Sequence, residues 1–293
     1  MNQHIELTLT ARQPFDFAAS LGFLRTFPAM TGEQDTGDQA LVKAVRAGGV
    51  TMAATITAAE PGLRVGLSAD RLISPAAAAA AGEQISFFLG LDDDLTELYR
   101  TAEADPPFAA VVRRLHGYHQ VKFPTPLELL CWSILCQRTP IARARAVKQT
   151  LTESFGNTVT LAGRQLWAFP DLEQLLTLSQ EQLAELVGNP RKADYLYRSL
   201  RGWAELDQDF LRTDPYHQVE QQLLTLPGIG PWSATFLLIR GLGRMEQAPI
   251  EPSLLKAAAR VYDRALTEAD LAALAAPYGT SQGYWAHYLR AAA

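Results

Sequence analysis

The sequence predicts an α+β protein: a small antiparallel sheet with two helices over residues 1–105, then an all-helical region over residues 106–293. Three observations carry this. In the first segment Ile5, Leu7 and Leu9 alternate with Glu6, Thr8 and Thr10, a period of two that suits a strand with one buried face. From Phe108 onward apolar residues recur at helical spacing, with no convincing alternating stretch. The dipeptide Pro106-Pro107 marks the change between the two patterns.

After the first strand, Phe15, Ala18, Ala19, Phe23 and Leu24 give a helical face over 15–27. Residues 41–45, 50–56 and 63–67 read as further strands, punctuated by turns at Gly48-Gly49 and Pro61-Gly62. Pro75 opens an alanine-rich helix that runs to Phe88-Leu89. Asp92-Asp93-Asp94 reads as a cap and a solvated acidic turn rather than a metal site. The helices expected beyond are 108–115, 125–136, 140–155, 171–176, 180–187, 190–204, 215–225, 231–240, 252–263, 267–275 and 281–290.

At 293 residues, 48% of them hydrophobic, the chain is long enough for a large core and for about two domains. Met1-Asn2-Gln3-His4 is not a basic segment leading into an apolar one, and no run approaches a membrane span, so a cytoplasmic protein with no membrane partner is expected. Cys131 and Cys136, the only cysteines, sit in one expected helix and read as buried apolar residues, with no metal site. The net charge of −5 hides an uneven distribution. Residues 1–105 carry 7 Lys and Arg against 14 Asp and Glu, residues 106–203 carry 12 against 7, and residues 204–293 carry 7 against 10. The basic middle can face phosphate while the rest stays acidic, so the balance does not exclude DNA.

One stretch combines turn chemistry with a helix start: Leu226-Pro227-Gly228-Ile229-Gly230-Pro231-Trp232-Ser233-Ala234. The two glycines permit positive φ and close backbone approach, and Pro231 sits where a helix's first turn begins. The amides of such an N-terminus suit a phosphate, and a ligand-free helix–helix turn is the alternative. Two upstream stretches have related character. Cys136-Gln137-Arg138-Thr139-Pro140 breaks a helix ahead of Arg143, Arg145 and Lys148, and Gly188-Asn189-Pro190-Arg191-Lys192-Ala193-Asp194-Tyr195 puts a turn and two cations at a helix start.

Together with Phe123-Pro124-Thr125-Pro126-Leu127-Glu128, these motifs resemble, in order and spacing, the helix-hairpin-helix DNA glycosylases. The match is nearest the AlkA-type, 3-methyladenine branch over 106–293, and residues 1–105 fit the small TATA-binding-protein-like sheet domain of that branch. The resemblance implies a base-excision-repair hydrolase that acts as a monomer on double-stranded DNA containing damaged bases, flips a damaged nucleotide and removes an alkylated purine. It implies a bacterial-type protein associated with the nucleoid. A glycosylase fold that binds distorted DNA without cutting, or one that acts on non-alkyl lesions, shares the same motifs.

The resemblance also assigns residues. Leu226, Gly228, Ile229, Gly230 and Ser233 would anchor the DNA backbone with Arg191, Lys192 and Thr139, while Gln137 and Arg138 would fill the gap left by the flipped base. Trp232 stands where bifunctional relatives carry the lysine that attacks the sugar, which implies no lyase activity. Trp232, Phe236, Tyr284 and Trp285 would line the base pocket. The family's catalytic aspartate falls in register with Glu251, whose carboxylate would stabilise the oxocarbenium-like sugar or activate water; a plain helix cap is the alternative role. The extra methylene of glutamate adds reach and a torsion. No cysteine follows Cys136, so no iron-sulfur cluster is implied, and the one ion the resemblance allows is a monovalent cation at the hairpin.

Overall fold

A computed structural model describes residues 3–293. Strands β1 (Gln3–Thr10), β2 (Gln34–Thr36), β3 (Ala40–Ala47), β4 (Val50–Ala59) and β5 (Gly62–Ala69) form one antiparallel sheet in the order β1-β5-β4-β3-β2. The last four are a meander, and β1 closes on β5 with Leu7 opposite Val65. Exposure along β1 alternates as its sequence does. Helices α1 (Phe17–Thr26) and α2 (Pro75–Leu89) belong to this domain. Asp16 accepts from the amides of Ala18 and Ala19 at the start of α1, and Ser74 accepts from Ala77 at the start of α2. Gly82 lets α2 lie close on β1, since a Cβ there would stand 3.2 Å from the Leu9 side chain.

The remaining helices are α3 (Thr96–Ala102), α4 (Pro106–Arg114), α5 (Pro126–Leu135), α6 (Ile141–Phe155), α7 (Leu172–Leu176), α8 (Gln180–Val187), α9 (Pro190–Ala204), α10 (Gln208–Thr213), α11 (Tyr216–Leu224), α12 (Pro231–Phe236), α13 (Pro252–Val261), α14 (Glu268–Ala275) and α15 (Gln282–Ala292). Helix α12 continues directly into a π-helical segment, Leu237–Gly241. Among the described residues no helix is long and apolar enough to cross a membrane.

The region expected to be wholly helical contains a β-hairpin, β6 (Asn157–Leu161) and β7 (Arg164–Ala168). Its apolar residues Val159, Leu166 and Ala168 pack on Ala44 and Ala53, covering the second face of β3 and β4. This explains why Val50–Ala54 is buried at every position rather than at alternate ones.

Two cores result. One joins the sheet, α1 and α2 to α5, α6, α8, α9 and α11 through Val121 and Phe123. The other joins α3 and α4 to α13, α14 and α15, so Leu98 and Ala102, which precede residue 105 in the chain, pack with the C-terminal helices. The helix-hairpin-helix and the residues that face it, between α5 and α6 and at the start of α9, belong to the first of these bodies.

Across the first core runs a buried ionic cluster. The fully buried Lys148 of α6 pairs with Glu33 at 2.5 Å and with Glu128 of α5 at 2.8 Å. Burial alone would loosen its proton, but Glu128 and Glu33 outweigh burial and hold that proton more tightly than in an ordinary lysine.

Candidate active site and DNA interface

The helix-hairpin-helix consists of α11, the turn 225–230 and α12. Gly228 has a φ of +82°, and a Cβ there would stand 2.8 Å from the Tyr195 ring, so both conformation and space demand glycine. Gly230 differs from the expectation: its φ is −99°, and no atom lies within 4 Å of where its Cβ would be. It supplies the extended residue ahead of Pro231.

The turn is fastened through its carbonyls. Leu226 accepts from the Ile229 amide at 3.0 Å, Pro227 from the Ser199 hydroxyl at 2.5 Å, and Gly228 from the Gln137 side-chain amide at 2.6 Å. With these turned inward, the amides of Gly230, Trp232 and Ser233 find no acceptor among the described residues. They stand at the positive end of α12 and its continuation, where an anion is stabilised. The side chains of Leu226 and Ile229 are buried and hold the turn to the core, so only their backbone is available to a ligand.

Opposite the hairpin, Asn189 caps α9 by accepting from the Lys192 amide at 3.1 Å. Arg191 donates to the Tyr195 hydroxyl at 2.8 Å and lies against its ring. Lys192 reaches back to the end of α5, donating to the Leu135 carbonyl at 2.9 Å and to the Thr139 hydroxyl. Desolvation lowers its pKa, against the pull of the Cys136 sulfur. Arg138, exposed between α5 and α6, has a φ of +47°. That conformation costs a residue with a side chain about 1 kcal/mol.

These elements enclose a cleft of about 680 Å³. The structure brings Gln137, Arg138, Arg191, Lys192, Gly228, Ile229, Gly230, Trp232 and Ser233 to its walls, with Asn189 and Tyr195 added. Thr139 acts through Lys192. Trp232 is 50% exposed and lies 5.1 Å from Phe236, which packs edge-on against Phe123 behind it.

Glu251 does not line this cleft but touches Trp232, which does. It precedes α13 with extended backbone and caps no amide of that helix, so the cap role is not the one it takes. Its Oε2 accepts from Trp232 Nε1 at 2.9 Å. Its Oε1 accepts from the Ser253 hydroxyl at 2.7 Å and from Arg290 Nη2 at 2.6 Å. The protein around Arg290 shields its guanidinium from water and lowers its pKa, while Glu251 pulls the other way.

Tyr284 and Trp285 do not line the cleft. Trp285 is fully buried, stacked on Tyr278 at 5.8 Å with its indole donating to the Tyr262 hydroxyl. Tyr284 donates to Asp93 and accepts from the Gln120 amide, and burial drives its pKa well above the ordinary value. Both stabilise the C-terminal core, because α15 is buried on nearly every side from Gly283 to Leu289. The sequence reading missed Arg290, Ser253, Ser199 and Tyr195 as site residues. Tyr195 stood inside a motif already singled out, whereas the pairing of Arg290 with Glu251, 39 positions apart, leaves no spacing signal.

A sheet-backed helical body in which the second helix of a helix-hairpin-helix holds an indole against a carboxylate at the start of the next helix has the architecture of the helix-hairpin-helix DNA glycosylases. No family model matches the chain. It is 30% identical over 204 residues to the DNA-3-methyladenine glycosylase of Bacillus subtilis (strain 168), spanning 68% of this chain and 67% of that protein. Its fold superposes on the 3-methyladenine DNA-glycosylase from Archaeoglobus fulgidus with a TM-score of 0.77, at 18% identity, over 99% of this chain and 97% of that one. It superposes on a Clostridium acetobutylicum 8-oxoguanine glycosylase/lyase in complex with double-stranded DNA with a TM-score of 0.69, at 16% identity, over 94% and 90% of the two chains. The chain belongs to the DNA-3-methyladenine glycosylase family, the AlkA-type branch of that superfamily.

Proposed function

We propose that the protein is a monofunctional DNA glycosylase that binds damaged duplex DNA as a monomer, flips an alkylated purine into the cleft and hydrolyses its N-glycosidic bond. The observation that carries this reading is the Glu251 carboxylate held against the half-exposed indole of Trp232. A purine methylated at N3 or N7 is cationic, and the face of Trp232, backed by Phe236, attracts such a base by stacking and cation–π interaction. Positive charge develops on the sugar as the bond breaks, and the neighbouring carboxylate stabilises it and orients the attacking water. Backbone amides of the hairpin, with Arg191, grip phosphate without regard to sequence, as a scanning repair enzyme requires.

Absence of lyase chemistry in this reading rests on Trp232 at the lysine position and on Lys192. That one lysine lining the cleft, among the described residues, is engaged with Leu135 and Thr139. The proposed step uses no cofactor. The test is release of free base from methylated duplex DNA by the wild type and by Glu251→Gln. A fall of about a hundredfold or more is expected; equal release by both removes Glu251 from the mechanism. Borohydride treatment during turnover is expected to trap no protein–DNA adduct. A panel of oligonucleotides carrying alkylated, deaminated or oxidised bases tests the lesion class, with preferential release of alkylated purines expected.

A further inference from the structure

We propose that Arg290 is a positioning residue for Glu251: from the end of α15 its guanidinium, with the Trp232 indole and the Ser253 hydroxyl, locks the carboxylate in the rotamer that reaches the indole at the edge of the cleft. This deepens the function proposed above and rests on its assignment of Glu251. A glutamate carries one more torsion than an aspartate, and a catalytic carboxylate that wanders by about 1 Å loses much of its effect. Here three donors from three elements converge on its two oxygens, at 2.6, 2.7 and 2.9 Å. Trp232 approaches from α12 and fixes Oε2, while Ser253 on α13 and Arg290 on α15 fix Oε1. The longer side chain is thereby held as firmly as a shorter one.

Arg290 is suited to this by what precedes it. Gly283 through Leu289 are buried in the C-terminal core, so the helix that carries the guanidinium cannot shift without unpacking Trp285 and Tyr288. The bond is charge-assisted and short, and α15 packs along α13, whose start holds Glu251. A carboxylate has about four acceptor positions. Three donors leave one, on Oε2, for water or for the developing sugar cation.

The experiment compares single-turnover base release with binding to a duplex containing an abasic-site analogue, in Arg290→Ala, Arg290→Lys, Glu251→Gln and the Glu251→Gln/Arg290→Ala double variant. For R290A, release is expected to fall about tenfold or more while affinity changes less than about twofold. R290K, or guanidinium ion added to R290A, is expected to restore part of the rate. In the E251Q background the Arg290 change is expected to cost nothing further. Unchanged release by R290A overturns the proposal. So does a loss of rate matched by losses of binding and melting temperature without rescue, and so does an R290A effect that persists undiminished in E251Q. Wild-type release by E251Q overturns the role of Glu251 itself and is read independently of the Arg290 variants.

Discussion

Arg138 holds a left-handed backbone at φ +47° while its side chain stands exposed at the edge of the cleft, next to Gln137, whose amide is tied to Gly228. The resemblance gives Arg138 a role on the ligand side, and its side chain is exposed there. A guanidinium there can stack in the space vacated by a flipped nucleotide and contact the base left opposite. Arg138→Ala is therefore expected to weaken binding to an abasic-site duplex by about tenfold, and binding to undamaged duplex far less, in a fluorescence-anisotropy titration at fixed salt. Equal losses on both duplexes would make Arg138 a phosphate contact only.

At the scale of the element, the hairpin works because its carbonyls turn inward and its amides outward. Gly228 is the hinge of that arrangement, with its positive φ and with Tyr195 2.8 Å from where a Cβ would stand. Gly228→Ala is expected to destabilise the protein by about 2 kcal/mol in urea denaturation, from the sum of a disfavoured φ and a displaced Tyr195 ring. It is also expected to weaken DNA binding more than Gly230→Ala, whose position has negative φ and open space. The reverse order would mean that Gly230, and not Gly228, sets the hairpin. Sequence reasoning located the hairpin and its helix starts because proline and glycine act locally. It treated the two glycines alike because only the neighbour across the turn, Tyr195, distinguishes them.

At the scale of the whole molecule, Lys148 fastens the sheet domain to the helical body through Glu33, with Glu128 of α5 as its second partner. Lys148→Met is expected to cost about 3–5 kcal/mol in denaturant unfolding, because two carboxylates are left buried without their cation. The folded protein binds the Lys148 proton more tightly than the unfolded chain does. The contribution is thus fully present below an ordinary lysine's pKa of about 10.4 and fades only as pH rises past that value. In K148M the two carboxylates, buried without Lys148, bind protons more readily in the folded state, so the gap between wild type and K148M is expected to widen from pH 6 to pH 8. A gap that narrows over that range would show that another group carries the linkage. The same core explains the hairpin formed by β6 and β7: Thr158 and Thr160 flank Val159 in the expected alternation, but five-residue strands between helices are too short to stand out until the face of β3 and β4 they cover is known.

Local chemistry determined the sheet-then-helix order, the caps at Thr125 and Asn189 and the turn between α11 and α12, because strand period, capping side chains and Pro-Gly turns act within a few residues, whereas the candidate carboxylate came from the family resemblance. Tertiary structure alone decided what the carboxylate does. It drew Trp232, Ser253 and Arg290 onto Glu251, left one acceptor position free, and placed Tyr284 and Trp285 in the core instead of the cleft. Those outcomes depend on how α12, α13 and α15 pack against one another, and contacts between residues tens of positions apart carry no period that a single chain displays.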